Sequence, residues 1–183
     1  PQKTVHATVD CLDLPGLNFL DEHGRAAARK LFGQIRTVDL FVAVVRAFEN
    51  DAVAAYRNRI QPGKDLEELK TEFLLADLEL VTTRIERLEK QVHKPTRTAA
   101  RDKEELALHG KLQTILESER PLSAAGLSAR ELDLIKPLGF LTLKPMMVVV
   151  NVGENRLNQS VDLGSAAGGA EAVMGGRVAA MPC

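Results

Sequence analysis

Residues 38–45, with the sequence VDLFVAVV, form a nearly continuous apolar run. Such a run predicts a strand that is buried on both faces of a parallel sheet. A second run of the same kind, MMVVV at residues 146–150, follows much later in the chain. The order of the elements between and around these runs predicts an α/β sheet that is interrupted by a large insertion.

The flanking segments extend this pattern. Val5 to Leu12 alternates apolar and polar residues and predicts a strand, which the turn-forming residues Asp13-Leu14-Pro15-Gly16 end. After a loop at about 17–24, apolar residues at helical spacing predict a helix over Arg25–Ile35. Residues 177–181 predict a last short strand. The apolar residues of the helix are Ala26, Ala27, Leu31 and Ile35.

The insertion is predicted to consist of two helices. Residues 65–93 contain neither Gly nor Pro, and their apolar residues step by four and three, which is the spacing of a coiled-coil seam. A proline breaks this helix, and a second helix follows over about 98–119. The short connection predicts an antiparallel hairpin over 63–120, inserted into a sheet domain made of 1–62 and 121–183. The seam residues are Leu74, Leu78, Val81, Ile85, Leu88 and Val92.

Composition narrows the class of protein. The chain has 183 residues, of which 45% are apolar, so it can form a substantial core. A net charge of −1 and an aromatic content of 4% argue against nucleic-acid binding through overall charge or base stacking. Two cysteines make neither a disulfide scaffold nor a zinc site and favour a reducing, cytoplasmic compartment. No apolar run is long enough for a membrane helix, so we expect no membrane association.

The first motif with chemical meaning is Asp13-Leu14-Pro15-Gly16. In P-loop enzymes an apolar strand ends in an Asp that holds the magnesium shell, and a Gly follows whose backbone N–H can meet the γ-phosphate. A carboxylate suits this position because Mg²⁺ prefers hard oxygen ligands, and glycine allows the backbone to approach closely. An acid followed by an ordinary Pro-Gly turn has the same sequence, so this motif alone leaves both interpretations open.

The second motif is Asn151-Val152-Gly153-Glu154, directly after the run at 146–150. GTPases recognise guanine here with Asn-Lys-x-Asp, but Val152 stands at the Lys position and Glu154 at the Asp position. A simple turn rich in Asn and Gly would look similar. Ligands in open α/β sheets bind at the carboxyl ends of the strands, so the two motifs together favour one nucleotide site.

Four segments, in one consistent order over about residues 1–154, resemble the YchF (Obg-like ATPase) family of P-loop GTPases. Residues 7–17 resemble the start of the family's switch II, and residues 35–49 resemble its next helix end and strand. Residues 65–79 resemble the beginning of its coiled coil. Residues 141–154 resemble its base-recognition strand and motif.

The resemblance implies a GTPase-type P-loop sheet with an inserted antiparallel coiled-coil hairpin. It implies binding and hydrolysis of ATP or GTP with Mg²⁺, a link to ribosomes and translation, and acceptance of ATP, because the guanine-reading motif is changed. It further implies that Asp13 lies in the second shell of Mg²⁺ and that Gly16 senses the γ-phosphate. Base recognition falls to Asn151, Val152 and Glu154.

Other features concern the hydrolysis step and the extent of the chain. The resemblance places Leu17 where other GTPases have a water-positioning Gln, and because Leu cannot orient water by hydrogen bonding, no catalytic group is identified. No GxxxxGK[S/T] motif is present. We therefore expect the family's phosphate loop upstream and its TGS domain downstream, and a piece that is inactive alone. Residues 18–24 also differ from the Gly- and Lys-rich switch II of the family.

A different class of function fits the same sequence. The hairpin is longer than a compact domain requires, and its tip carries basic residues that could contact RNA phosphates. Exposed coiled-coil charge explains these residues equally well. In this alternative the chain is a non-catalytic interaction module whose hairpin binds a protein or ribosomal partner. The tip residues are Lys90, His93, Lys94, Arg97 and Arg101.

Overall fold

The computed structural model describes residues 8–50, 52, 54–93, 99–153 and 178–182. Within them lie four α-helices and three β-strands, joined by loops and short 3₁₀ turns. None of the described helices combines the length and apolar character needed to cross a membrane. The helices are α1 (Glu22–Ile35), α2 (Pro62–Val92), α3 (Ala99–Glu117) and α4 (Ala129–Ile135), and the strands are β1 (Phe41–Arg46), β2 (Met146–Val152) and β3 (Val178–Pro182).

The three strands form one parallel sheet in the order β1-β2-β3. Phe41 pairs with Met146 at one end of the first ladder, and Arg46 pairs with Asn151 at the other. The apolar run at 146–150 therefore forms the central strand, as its composition predicts. The prediction of a mixed α/β fold with a parallel sheet is confirmed, including the last strand, which the sequence placed at residues 177–181.

β1 is covered on one face only. Phe41, Ala43 and Val45 are buried, whereas Val42 and Val44 are 54% and 61% exposed. The prediction that residues 38–45 are buried on both faces is therefore wrong. The reason is that the described helices pack against the Phe41 face, and no described element covers the other side of β1.

The predicted first strand is also corrected. Residues 8–12 have no regular secondary structure, and Val9 and Leu12 are 82% and 53% exposed. An apolar–polar alternation becomes a strand only when a neighbour supplies hydrogen bonds to its backbone, and no described strand lies beside this segment. Residues 1–7, which complete the predicted strand, lie outside the described residues.

α1 begins three residues before its predicted start because Asp21 caps it. The Asp21 side chain accepts a hydrogen bond of 2.6 Å from the Gly24 backbone N–H, which would otherwise lack a partner in the first turn. The helix buries Ala28, Phe32 and Ile35, whereas the expected core residues Ala26 and Ala27 are exposed. Phe32 and Phe41 both contact Phe73 of α2, with ring centroids 5.8 and 5.2 Å apart, respectively.

A buried carboxylate joins α1, α2 and the segment before β2. Asp77 is fully buried in the middle of α2, and its Oδ1 accepts a 2.7 Å hydrogen bond from Arg36. Its two oxygens also accept hydrogen bonds of 3.0 Å from the Leu141 backbone N–H, and of 2.8 Å each from the Thr142 N–H and hydroxyl. We call Arg36, Asp77 and Thr142 the polar junction.

Gly139 closes the polar junction. Its φ is +59°, and a Cβ built on it would lie 2.5 Å from the Arg36 carbonyl oxygen. Its own carbonyl accepts a 3.2 Å hydrogen bond from the Arg36 guanidinium. Glycine is required here both for the left-handed backbone and for the close approach of α1.

α2 and α3 pack together, and helices form over both segments where the sequence predicts them. Val81 and Leu88 of the predicted seam are fully buried in α2. Val81 shares an apolar cluster with Leu108, Leu112 and Leu116 of α3. Arg84 of α2 binds the carboxylate of Glu105 in α3, with N–O distances of 2.6 and 2.8 Å.

α4 begins with a capping box. The Ser128 hydroxyl accepts a hydrogen bond from the Glu131 backbone N–H, and the Glu131 carboxylate accepts one of 2.7 Å from the Ser128 N–H. Lys111 of α3 also binds Glu131 at 2.7 Å. The hydrogen bonds from Lys111 and Ser128 lower the pKa of Glu131 to about 2, so this link between α3 and α4 is ionic at neutral pH.

His109 is the buried polar residue of the α2–α3 interface. Its Nδ1 donates a 2.8 Å hydrogen bond to the Glu105 carbonyl, which leaves Nε2 as a bare acceptor. Nε2 is buried and has no partner among the described residues. Burial lowers the pKa of His109 despite the Glu105 carbonyl and carboxylate, and the Arg84 guanidinium adds to the lowering.

Acid is expected to destabilise the protein through His109. The folded state disfavours protonation, whereas the unfolded chain takes up a proton below about pH 6.5. The stability that comes from keeping His109 neutral is therefore complete above pH 6.5. It is lost as the pH falls from there toward the lower folded pKa, at up to about 1.4 kcal/mol per pH unit. Urea unfolding at pH 7.5 and 5.5 measures it. His109→Gln should reduce the pH dependence, whereas His93→Gln, at an exposed helix end, should retain it; equal pH dependence in all three proteins would contradict the assignment.

Candidate functional site

The carboxyl ends of β1 and β2 lie side by side. Arg46 and Asn151 are ladder partners, and the Ala47 backbone N–H donates a 2.8 Å hydrogen bond to the Asn151 carbonyl. Asn151 is half-buried at this edge. Val152 is fully buried in the main core, so its side chain points away from solvent. Glu154, the other predicted base-reading residue, lies outside the described residues.

The predicted phosphate-sensing segment packs on the same core. Leu14 and Leu17 are half-buried against the main apolar cluster, and Phe19 is a buried member of it. That cluster also contains Ala47 and Val152, which follow or end β1 and β2. Residues 13–19 are therefore anchored to the core that supports the two strand ends.

Asp13 and Gly16 are exposed on this anchored segment. No described hydrogen bond or ion pair engages the Asp13 carboxylate, so its oxygens are available to a cation. The described residues contain no cluster of three His, Cys, Asp or Glu side chains that could hold a metal by themselves. A single free carboxylate fits Mg²⁺, which is usually held by one or two carboxylates together with water and substrate phosphates.

Gly16 is not required by the local fold. A Cβ built on it would meet nothing within 4 Å, and its φ is not in the left-handed region. The position therefore differs from Gly139, where the backbone itself demands glycine. Open space around an exposed glycine allows a ligand to approach the backbone closely.

Arg46 is a further feature of this edge. Its guanidinium donates hydrogen bonds to the carbonyls of Phe48, Asn50 and Ala54, at 2.9, 3.3 and 3.4 Å. It also lies 4.6 Å from the centroid of the Phe48 ring. Arg46 thus organises the loop that follows β1. The only sequence signal is a charged residue directly after an apolar strand.

Comparison with known proteins finds similar chains. No protein-family model matches the chain. It is 34% identical over 155 residues to the ribosome-binding ATPase YchF of Haemophilus influenzae, and 36% identical over 155 residues to that of Escherichia coli O157:H7. The chain is a relative of the YchF family. The Bacillus subtilis YchF is 32% identical over 157 residues.

A solved YchF structure shares the fold. The Schizosaccharomyces pombe YchF GTPase matches with a TM-score of 0.68 and 28% sequence identity, covering 82% of this chain and 42% of that protein. The chain likewise spans 42% of the length of the bacterial YchF proteins named above, which cover 85–86% of it. The similarity to YchF thus extends over most of the chain.

Proposed function

We propose that the chain is part of a Mg²⁺-dependent, nucleotide-hydrolysing switch protein that acts on ATP or GTP and associates with ribosomes in the cytoplasm. The bacterial relatives are described as ribosome-binding ATPases, and the fission yeast relative as a GTPase. The observation that carries the proposal is the shared core beneath residues 13–19 and the adjoining ends of β1 and β2.

The proposal includes a finer description of the fold. The parallel sheet is that of a P-loop GTPase-type domain formed by residues 1–62 and 121–183. Residues 63–120 are an antiparallel coiled-coil hairpin inserted into it. The buried seam of α2 against α3 and the parallel pairing of β1 with β2 support this division.

In this proposal the two turns hold opposite ends of one nucleotide. The Asp13 carboxylate binds water in the shell of Mg²⁺, and the Gly16 N–H donates to the γ-phosphate. Asn151 and Glu154 face the base. Val152 matters because it replaces the Lys of the guanine-reading motif. A buried apolar side chain cannot place a cation beside the base as Lys does. The loss of the Lys and the exchange of Asp for Glu are the reasons to expect ATP as a substrate.

Hydrolysis then proceeds by in-line attack of water, with positioning and electrostatics supplying the rate. Mg²⁺, when bound, neutralises charge that develops on the phosphate oxygens. Leu17 is half-buried against the core, so it leaves no polar group at its position to orient the water. In this proposal the Gly16 N–H is the group of this chain that holds the γ-phosphate.

Gly16→Ala tests the proposal. Because a Cβ at residue 16 meets nothing, the free energy of unfolding should change by less than about 0.5 kcal/mol. The methyl group would instead obstruct the approach of the phosphate and weaken one charge-assisted hydrogen bond, for a loss of about 10- to 100-fold in the hydrolysis rate. The measurement is phosphate release by the full-length protein, together with calorimetric titration of ATP and GTP.

Gly33→Ala is the matched control. Gly33 lies in α1, and a Cβ there also meets nothing within 4 Å. This change should slightly stabilise the helix and leave hydrolysis unaltered. An equal loss in both variants, or no loss in Gly16→Ala, would remove the assigned role of Gly16.

The second candidate function, a non-catalytic interaction module, is favoured by the length of α2. Its 31 residues span about 46 Å, and its far half exposes Glu86, Arg87, Glu89 and Lys90. The wild-type titration separates the two functions. A module without nucleotide chemistry would bind a ribosomal or protein partner but give no heat with ATP or GTP.

A further inference from the structure

The segment that leads into α2 holds an uncommon backbone conformation. Arg57 and Asn58 are consecutive non-glycine residues with φ of 52° and 51°. Arg57 costs of order 1–2 kcal/mol relative to the right-handed form, whereas Asn adopts this conformation more readily. For an arginine the conformation persists only where the surroundings impose it. The segment therefore depends on its contacts with neighbouring elements.

Those contacts are made with the first turns of α2. The Arg57 guanidinium binds both oxygens of Glu68, and its Nε lies 3.1 Å from Oε2. It also lies 5.6 Å from the centroid of the Tyr56 ring. Arg59 approaches Asp65 at 2.9 Å. Two successive ion pairs thus fix residues 56–59 to the beginning of the long helix.

Tyr56 connects these ion pairs to the segment that carries Gly16. Its hydroxyl lies beside the Phe19 backbone and the Glu68 carboxylate. The hydroxyl oxygen is buried, and no described atom meets it in hydrogen-bonding geometry. A buried hydroxyl without a partner costs about 1–3 kcal/mol. Burial also raises the pKa of Tyr56, so the hydroxyl keeps its proton at neutral pH and can donate a hydrogen bond.

We propose that the Tyr56 hydroxyl couples the γ-phosphate segment to α2. This inference rests on the proposed nucleotide site. When Gly16 engages a γ-phosphate, residues 17–19 shift and a backbone carbonyl of this stretch accepts a hydrogen bond from Tyr56. The same movement strengthens the Arg57–Glu68 ion pair and stabilises the first turns of α2. By linkage, a hydrogen bond that forms only in the triphosphate state raises triphosphate affinity by the same factor.

Tyr56→Phe in the full-length protein tests the coupling. The variant retains the ring and removes only the hydroxyl, so affinity for a non-hydrolysable ATP analogue should fall about 3- to 10-fold, which is the value of one hydrogen bond. Affinity for ADP should not change. Calorimetric titration of both nucleotides gives the ratio. Hydrogen exchange at residues 62–68 should slow with the analogue in the wild type, and slow less in the variant.

Thr82→Val is the matched control, because it removes a hydroxyl that bonds only to the Leu78 carbonyl within α2. It should leave the analogue-to-ADP ratio at the wild-type value. An unchanged ratio in Tyr56→Phe, with nucleotide binding intact in the wild type, would overturn the coupling alone. Absence of nucleotide binding in the wild type would overturn both the coupling and the proposed function.

Discussion

Asp77→Ala is expected to lower the free energy of unfolding by about 3–5 kcal/mol, the range for breaking a buried ion pair from one side. The change deletes the acceptor of four hydrogen bonds in the polar junction. It leaves Arg36 without its carboxylate and the Leu141 and Thr142 backbone N–H groups without partners in the interior. Because total stability is usually 5–15 kcal/mol, the variant should be close to unfolded at 37 °C. Urea denaturation followed by circular dichroism measures the loss.

Glu79→Ala provides the comparison within the same helix. Its carboxylate is 61% exposed and lies 3.8 Å from Arg29, so its removal should cost less than about 1 kcal/mol. Asp77→Asn should fall between the two, because an amide oxygen can still accept hydrogen bonds but carries no charge for Arg36. Similar losses for Asp77→Ala and Glu79→Ala would show that the polar junction does not hold the fold together.

Phe73→Ala is expected to have an effect of similar size, a loss of about 3–5 kcal/mol. Phe73 is buried between α1 and β1, where its ring contacts Phe32 edge-on and Phe41 at a tilt. Truncation would open a cavity at the centre of the main core and remove both aromatic contacts. Thermal and urea unfolding of the variant would report the change directly.

Leu75→Ala is the counterpart two residues further along α2. Leu75 is 53% exposed, so its truncation leaves no closed cavity and should cost less than about 1 kcal/mol. A loss for Phe73→Ala below about 1.5 kcal/mol would mean that the core collapses around the missing ring. In that case the aromatic contacts would not be the main link between the sheet and the long helix.

The helices were predictable because their signals are local. The absence of Gly and Pro and the spacing of seam residues act within a few turns, and α2 and α3 form where these signals place them. The buried face of α1 was predicted only in part: Ile35 is buried and Leu31 packs on the core, but Ala26 and Ala27 are exposed. Alanine is small enough to lie on either side of a helix. Phe32, which the prediction omitted, decides the orientation.

The predictions that failed concern features that depend on residues distant in sequence. Residues 8–12 have the alternation of a strand, but alternation does not supply a pairing partner. Val42 and Val44 have the composition of a buried face, but none of the described elements covers them. Asp77 also carries no local signal, because a carboxylate on a charged helix is usually solvated. Its partners, Arg36 and Thr142, lie 41 and 65 residues away in sequence.

The candidate site was predicted from turns at strand ends. Residues 13–19 pack on the apolar cluster that also contains Ala47 and Val152, while the roles of Asp13, Gly16, Asn151, Val152 and Glu154 in nucleotide binding stay predictions. Tyr56 and Arg57 could not be predicted, because the positive φ values and the orphan hydroxyl follow from tertiary contacts alone.

The position of Asp77 along α2 gives the long helix the mechanics of a lever. The helix pivots at the polar junction. Glu68 lies about 14 Å from this point on one side and Val92 about 22 Å from it on the other, at 1.5 Å per residue. A rigid helix that tilts about this point moves its far end in the opposite direction, and further than its near end. A displacement of less than about 1 Å beside Phe19 would therefore become larger at the Val92 end of α2, where a bulky partner would contact it.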